Sequence, residues 1–276
     1  MTRPAPSRDG AVALICLDVD GTLLGAAGAV RDGVWDALAR ARDAGVQLAI
    51  CSGRPGFGVT RDLALRVDAA GWHCFQNGAS VLHLGSGGSQ SSALAPETVS
   101  MLVARARACD RPLELYSDDE YVTESVSEIA RVHASLLGLA FAPRAFESLP
   151  PPVVRAQWLL AHDELAAVLA EPHPGLEVSP SLGPALPDHV FVNLTRTGVD
   201  KGSAVQAIAT AYGVALENVM YVGDGLNDTP ALRLVGWPVA MGNAEPPALA
   251  LARHVVGNVE DDGVVQAVAM ALATRA

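Results

Sequence analysis

The apolar run Ala11–Leu17 ends on Asp18-Val19-Asp20-Gly21-Thr22, and no other segment restricts the fold as strongly. A short, continuously apolar run bounded by turn residues reads as a strand buried on both faces, as in a parallel sheet. Strand alternation puts the carboxylates of Asp18 and Asp20 on one face. Two adjacent carboxylates repel, so the pair calls for a cation or a shared proton. Val46–Cys51, Gly71–Gln76, Val219–Val222 and Pro238–Met241 are further strand-like runs; the first ends at Ser52 and the third at Gly223-Asp224. Arg31–Ala44 carries Val34, Leu38 and Ala41 at helical spacing with Gly45 as its stop, and Phe57–Arg66 reads as a second helix. Strands alternating with helices predict right-handed crossovers in a parallel sheet. In open sheets of this kind ligands bind beyond the carboxyl ends of the strands, where the polar residues fall.

After Asn77 the texture changes. Residues 85–92 are rich in Gly and Ser, the composition of a flexible link. Pro96–Cys109 and Glu124–Leu137 read as helices. Pro112–Tyr116 and Tyr121–Glu124 read as paired strands across the acidic turn Asp118-Asp119-Glu120. Pro150-Pro151-Pro152 is a break; Val153–Leu160 then reads as a strand, Asp163–Ala170 as a helix and Leu176–Ser179 as a strand. This mixture predicts a separate α+β domain over residues 85–189. From about Val190 the α/β texture returns, through a last helix at residues 263–274. The expected fold class is α/β: a Rossmann-like parallel-sheet core formed by residues 1–84 and 190–276, with an inserted α+β domain.

Composition narrows the function. A formal charge of −11 argues against general nucleic-acid or anionic-membrane binding. No apolar run approaches the roughly 18–20 residues of a membrane span. The polar opening, Met1 to Gly10, lacks a signal-peptide apolar stretch, so a cytoplasmic location is expected. Cys16, Cys51, Cys74 and Cys109 show no C-x-x-C spacing and are expected to be free thiols. The seven histidines form no close metal pair. Of 19 basic residues 18 are arginine, and Lys201 is the one lysine. An ammonium kept there points to a need for a compact point charge rather than a planar fork.

Asp18-Val19-Asp20-Gly21-Thr22, Ser52-Gly53-Arg54, Lys201-Gly202 and Gly223-Asp224-Gly225-Leu226-Asn227-Asp228, in that order, resemble the haloacid dehalogenase-like phosphohydrolases. Ala240-Met241-Gly242-Asn243-Ala244 and Glu260-Asp261-Asp262-Gly263-Val264 resemble its Cof-type branch. Asp18 to Ser52 spans 34 residues, Ser52 to Lys201 spans 149 and Lys201 to Asp224 spans 23. The insertion therefore falls between the second and third motifs, the position of a type II cap in that superfamily.

The resemblance implies a phosphatase of small phosphorylated metabolites, such as sugar phosphates or phosphorylated cofactors. Asp18, whose carboxylate needs no deprotonation at neutral pH, is the expected nucleophile and would form an aspartyl-phosphate. Asp20 is the expected general acid and base. An anionic phosphate must approach an anionic carboxylate, and Mg²⁺ answers that repulsion. Its expected ligands are Asp18, the backbone carbonyl of Asp20, and Asp224. Ser52 and the Gly53 N–H are expected to donate to the phosphoryl oxygens, with Lys201 neutralising them and Asn227 contacting phosphate. Asp228 is expected to orient metal-bound waters or to pair with Lys201, and Asn243 to brace the loops. Arg54 either holds its loop or reaches the substrate. Asn77, in an N-G-A segment, is a substrate contact, a hinge or a plain turn. Tyr116, Tyr121 and Glu124 lie where specificity would be set, although such residues more often pack or face solvent. The expected partner is a small phosphorylated molecule, with neither nucleic acid nor membrane. Two alternatives stay open: a phosphotransferase or phosphomutase on the same scaffold, and a non-catalytic metabolite-sensing module.

Overall fold

The computed structural model describes residues 10–182, 186 and 188–275. The opening residues 1–9, on which the expectation of no signal stretch rests, lie outside the described residues. The chain divides into two compact units. The first holds the described residues of Met1–Gly53, Leu63–Gln90 and Asp200–Ala276; the second holds those of Arg54–Asp62 and Ser91–Val199. No helix among the described residues is long and apolar enough to cross a membrane.

The chain opens with β1 (Leu14–Leu17), α1 (Asp32–Asp43), β2 (Gln47–Ile50) and α2 (Val59–Asp68). Next come β3 (Trp72–Phe75), β4 (Ser80–His83) and β5 (Gly88–Ser89), an antiparallel three-stranded sheet. This corrects two expectations. β3 is not a full strand of the parallel sheet: it meets the segment after β2 at a single parallel bridge, Cys51 to Cys74. A tight turn at Gln76–Gly78 sends the chain straight back into β4, with Gln76 and Asn77 both at φ 54°. The Gly/Ser-rich link contains β5, because ladder hydrogen bonds need backbone groups and not large side chains.

α3 (Pro96–Cys109), β6 (Leu113–Tyr116), β7 (Tyr121–Thr123), α4 (Glu128–Leu136), β8 (Arg155–Ala161), α5 (Leu165–Ala170), β9 (Leu176–Leu182) and β10 (His189–Arg196) build the second unit. Its sheet runs β7-β6-β8-β10-β9, antiparallel throughout. One face is apolar, with Leu113, Leu115, Trp158, Leu160, Val192 and Leu194 packed with Leu102 and Ala106 of α3 and Val168 of α5. The other face buries polar groups, and they are partnered. Glu114 accepts from the Tyr116 hydroxyl and from Gln157, and lies 2.9 Å from His133 Nδ1. Arg155 donates to Asn193 at 2.9 Å, with its guanidinium 4.0 Å from the Tyr116 ring centre. Tyr116 is thus a packed residue of this network. Glu124 is held in an ion pair with Arg107 at 2.6 Å.

The second unit's bounds differ from 85–189. β10 is assigned to the core by the α/β texture from about Val190. It pairs instead with β8 and β9, and a strand inside an antiparallel sheet is as continuously buried as a parallel one. At the other end, residues 54–62 group with the second unit: a Cβ on Gly58 would crowd the Leu137 carbonyl, and the Phe57 ring stacks 6.4 Å from that of Tyr116.

α6 (Lys201–Tyr212), β11 (Val219–Gly223), α7 (Thr229–Leu234), β12 (Trp237–Ala240), α8 (Pro246–Leu249), β13 (His254–Val255) and α9 (Gly263–Ala273) complete the first unit. Its main sheet has the order β13-β12-β11-β1-β2, all parallel. Alternate residues serve opposite faces. Ile15, Leu17, Leu48, Ile50, Met220 and Val222 pack with α1 and α9; Leu14, Cys16, Ala49, Val219 and Tyr221 pack with α6 and α7. Both faces are covered, which is why the strands read as unbroken apolar runs. Each fully buried Val, Leu or Ile contributes about 1.5–3 kcal/mol on this count. The chain leaves β1 towards β2 on one side and later fills β11 on the other, so the topological switch lies at β1.

Candidate active site

The parallel register aligns Leu17 with Ile50 on one side and Val222 on the other. The residues that follow, Asp18, Ser52 and Asp224, therefore emerge at one edge of one sheet. The Asp18 N–H donates to Val222 O at 2.9 Å and the Cys51 N–H to Leu17 O at 2.7 Å, which fixes the three strand ends together.

Lys201 comes from the start of α6. Asp200 caps α6, its carboxylate accepting from the Ser203 N–H at 2.8 Å, and Lys201 is the first residue of that helix. Gly78 sits at φ +103° where a Cβ would strike the Asp200 backbone, so only glycine lets the two segments approach this closely. The Lys201 ammonium, 1% exposed, donates to Asp18 Oδ1 at 2.6 Å and to Asp228 Oδ1 at 2.6 Å. Asp228 is fully buried. Its Oδ2 accepts from the N–H groups of Asp224 (2.9 Å) and Gly225 (2.8 Å), and its Oδ1 also takes the Tyr221 hydroxyl at 2.6 Å.

Oxygens of Asp18, Asp224 and Asp228 lie within 4.8 Å of one another. Three carboxylates thus face one ammonium. Burial raises the Asp18 carboxyl well above the usual range; the charges of Asp228 and Asp224 add to the rise and Lys201 opposes it. Burial, then Asp228, pushes Asp224 up to about 6. Burial pulls Lys201 down, but Asp18 and Asp228 outweigh it, so its pKa is raised and it stays protonated. An excess of negative charge on hard oxygen donors is the environment a divalent cation neutralises, and a Mg²⁺-type ion fits this donor set.

The loops are laced to one another. Ser52, buried, donates its N–H to Cys74 O at 2.9 Å and accepts from the Asn77 N–H at 3.0 Å. Asn77 Oδ1 in turn accepts from Asn227 Nδ2 at 3.0 Å. Asn77 therefore joins the Ser52 loop to the Asn227 loop, and a Cβ on Gly53 would touch its amide. Asn243 donates to Gly21 O at 2.8 Å and to Asp224 Oδ2 at 3.2 Å, while its Oδ1 accepts from the Val259 N–H at 2.9 Å.

Asp20 departs from the expected geometry. β1 ends at Leu17, so strand alternation no longer governs residues 18–20; Asp18 is buried and Asp20 exposed. The chain turns tightly here, with the Gly21 N–H on Leu24 O at 2.8 Å and Gly21 at φ +81°. Arg54 belongs to the second unit. The other candidate catalytic, phosphate-binding and metal residues lie in the first, while Tyr116, Tyr121 and Glu124 lie in the second. Tyr221 was missed. A tyrosine in an otherwise aliphatic buried strand was the available signal, since a buried phenol needs a partner.

A sequence model of the haloacid dehalogenase-like hydrolases matches residues 15–137 and 186–268. The pyridoxal phosphate phosphatase YbhA of Escherichia coli is 30% identical over 272 residues, covering 92% of this chain and 96% of its own. The 5-amino-6-(5-phospho-D-ribitylamino)uracil phosphatase YcsE of Bacillus subtilis is 24% identical over 263 residues, covering 93% and 94%. Among solved structures, a haloacid dehalogenase-like hydrolase from Bacteroides thetaiotaomicron superposes with a TM-score of 0.83 at 27% identity, over 93% of this chain and 98% of its own. Sequence, fold and the order of the motifs agree: this chain belongs to the haloacid dehalogenase-like hydrolases, in their Cof-type phosphatase branch, and is a phosphoric monoester hydrolase.

Proposed function

We propose that the protein hydrolyses phosphate monoesters of small metabolites through an aspartyl-phosphate on Asp18, with Mg²⁺ as cofactor. The observation that carries this reading is the Lys201 ammonium held 2.6 Å from Asp18 Oδ1 at the carboxyl edge of a parallel sheet. Lys201 fixes the rotation of the nucleophilic carboxylate and offers positive charge to phosphoryl oxygens. Asp18 attacks phosphorus and the bond from phosphorus to the leaving oxygen breaks; Asp20 gives that oxygen its proton. Asp20, now a carboxylate, takes a proton from water as the water oxygen attacks phosphorus. The bond from phosphorus to Asp18 breaks, and inorganic phosphate leaves. An exposed Asp20 on a tight turn suits exchange of protons with leaving group and water. Ser52, the Gly53 N–H and Asn227 are the proposed donors to the phosphoryl group.

Asp18, Asp224 and the Asp20 carbonyl would hold the metal, while Asp228, already accepting four hydrogen bonds, anchors Lys201 and the Asp224 loop. When bound, Mg²⁺ supplies the positive charge that lets an anionic phosphoryl group approach Asp18. The names of the Escherichia coli and Bacillus subtilis relatives put pyridoxal phosphate and 5-amino-6-(5-phospho-D-ribitylamino)uracil beside sugar phosphates among the substrates to try. On this reading the inserted unit sets substrate choice.

Trapping tests the intermediate. Substrate carrying a labelled phosphoryl group, quenched in acid during turnover, should leave label on the protein that hydroxylamine removes. Asp18→Asn should leave none. Absence of label in wild type under rapid quench, with turnover intact, would instead mean direct attack by water.

A further inference from the structure

Asp228 carries more than an ion pair. Its Oδ2 is fixed by two backbone N–H groups, but its Oδ1 is shared between Lys201 and the Tyr221 hydroxyl, each at 2.6 Å. The two Oδ1 donors differ in kind. Lys201 is also committed to Asp18, and any phosphoryl oxygen at the site would compete for its protons. Among the described residues the Tyr221 hydroxyl bonds to Asp228 alone. Tyr221 is fully buried on β11, whose backbone is paired on both sides, by Cys16 of β1 and Pro238 of β12. Its neighbours in that layer, Leu14, Cys16, Ala49 and Val219, are small or aliphatic. The phenol is the group there that reaches a carboxylate.

We propose that Tyr221 is a positioning residue for phosphoryl transfer: its hydroxyl pins Asp228 Oδ1 so that Lys201 stays seated against Asp18. A neutral donor suits this place. The cluster sets three carboxylates around one ammonium, and a second cation there would compete with Lys201 and with an incoming metal for them. Burial and the Asp228 charge push the phenol well above its ordinary pKa, so the hydroxyl keeps its proton and acts as donor. When Lys201 turns protons towards a phosphoryl group, Asp228 keeps three of its four hydrogen bonds and does not follow. This proposal rests on Asp18 being the nucleophile, but its test does not depend on turnover alone.

The variant is Tyr221→Phe, which removes one oxygen and keeps the ring. Hydrogen bonds to charged groups are worth enough that kcat should fall about ten- to thirtyfold, with KM within about twofold. The second readout uses the single lysine: protein labelled with ¹⁵N-lysine gives one side-chain Nζ resonance. In Tyr221→Phe that resonance should shift and its ammonium protons exchange faster. The control is Tyr212→Phe on α6, whose hydroxyl accepts from the Trp72 N–H at 2.8 Å; it should lower stability while leaving kcat and the Lys201 resonance as in wild type. A Tyr221→Phe protein with kcat within twofold of wild type, or with an unmoved Lys201 resonance, would overturn the proposal and leave Tyr221 as filling. If wild type released no phosphate at all, the proposed function would fail, and the lysine resonance would decide Tyr221 by itself: movement supports the positioning role and stillness overturns it.

Discussion

Acid should weaken this fold through one imidazole. His73 on β3 is fully buried. Its Nδ1 accepts from the Ile50 N–H at 3.1 Å, and its Nε2 lies 2.8 Å from the Asp68 carbonyl, to which it must donate. Both bonds require the neutral ring with its proton on Nε2. A second proton on Nδ1 would break the Ile50 bond at the end of β2, just ahead of Ser52. Burial lowers the His73 pKa from 6.5 to about 4. The sign follows: above pH 6.5 both folded and unfolded chains are neutral here and the full stability is present. Below 6.5 the unfolded chain binds the proton first, so stability falls as pH drops towards 4 and then levels off. The gap implies a ceiling of about 3 kcal/mol, and about 2 kcal/mol lost by pH 5. Urea unfolding at pH 7.5, 6.0, 5.0 and 4.5 measures it, for wild type and His73→Asn, whose Oδ1 still accepts from Ile50. All other titrating groups are common to both proteins, so the difference between the two curves isolates His73. It should shrink by about 2 kcal/mol between pH 7.5 and 5. Parallel curves over that range would refute the reasoning.

Lys201→Arg should lose about 10²-fold or more in kcat, because a planar guanidinium cannot place two 2.6 Å contacts in a pocket that leaves the ammonium 1% exposed; steady-state phosphate release checks it, and near-wild-type turnover would remove the point-charge argument. Gly21→Ala should cost about 1–2 kcal/mol for a side chain at φ +81°. Its Cβ would also overlap the Asp224 carboxylate, so turnover should fall more than the stability loss alone explains. Thermal unfolding beside kinetics separates the two.

The first unit was legible because its physics is local. A strand covered on both faces is apolar for nearly all its length, and the apolar runs through β1, β2, β11 and β12 give way at Asp18, Ser52, Gly223 and Gly242. Lys201 stood out because it is the chain's one lysine, and its burial between Asp18 and Asp228 answers why an ammonium is kept there. What was not legible depended on pairing. β10 has the same apolar texture as a parallel strand, and only its partners β8 and β9 assign it to the other unit. β3 turned out antiparallel because a turn with two residues at positive φ follows it, which the Asn77-Gly78 pair hinted at and Gln76 did not. Asp20 is exposed where Asp18 is buried because β1 ends at Leu17, three residues short of the Asp20 that alternation would have had to reach. For Tyr221 the buried phenol was a signal but its partner was not legible: Asp228 lies seven residues on, across a glycine turn, and no spacing rule links them.

The most direct test of the account is phosphate release from a panel of phosphorylated metabolites, measured with Mg²⁺ and with EDTA, for wild type beside Asp18→Asn. Release that needs the metal and falls to a few per cent or less in Asp18→Asn is the expected result. Comparable turnover in Asp18→Asn, or release that EDTA leaves unchanged, would contradict the assignment of Asp18 and of the acidic cluster around it.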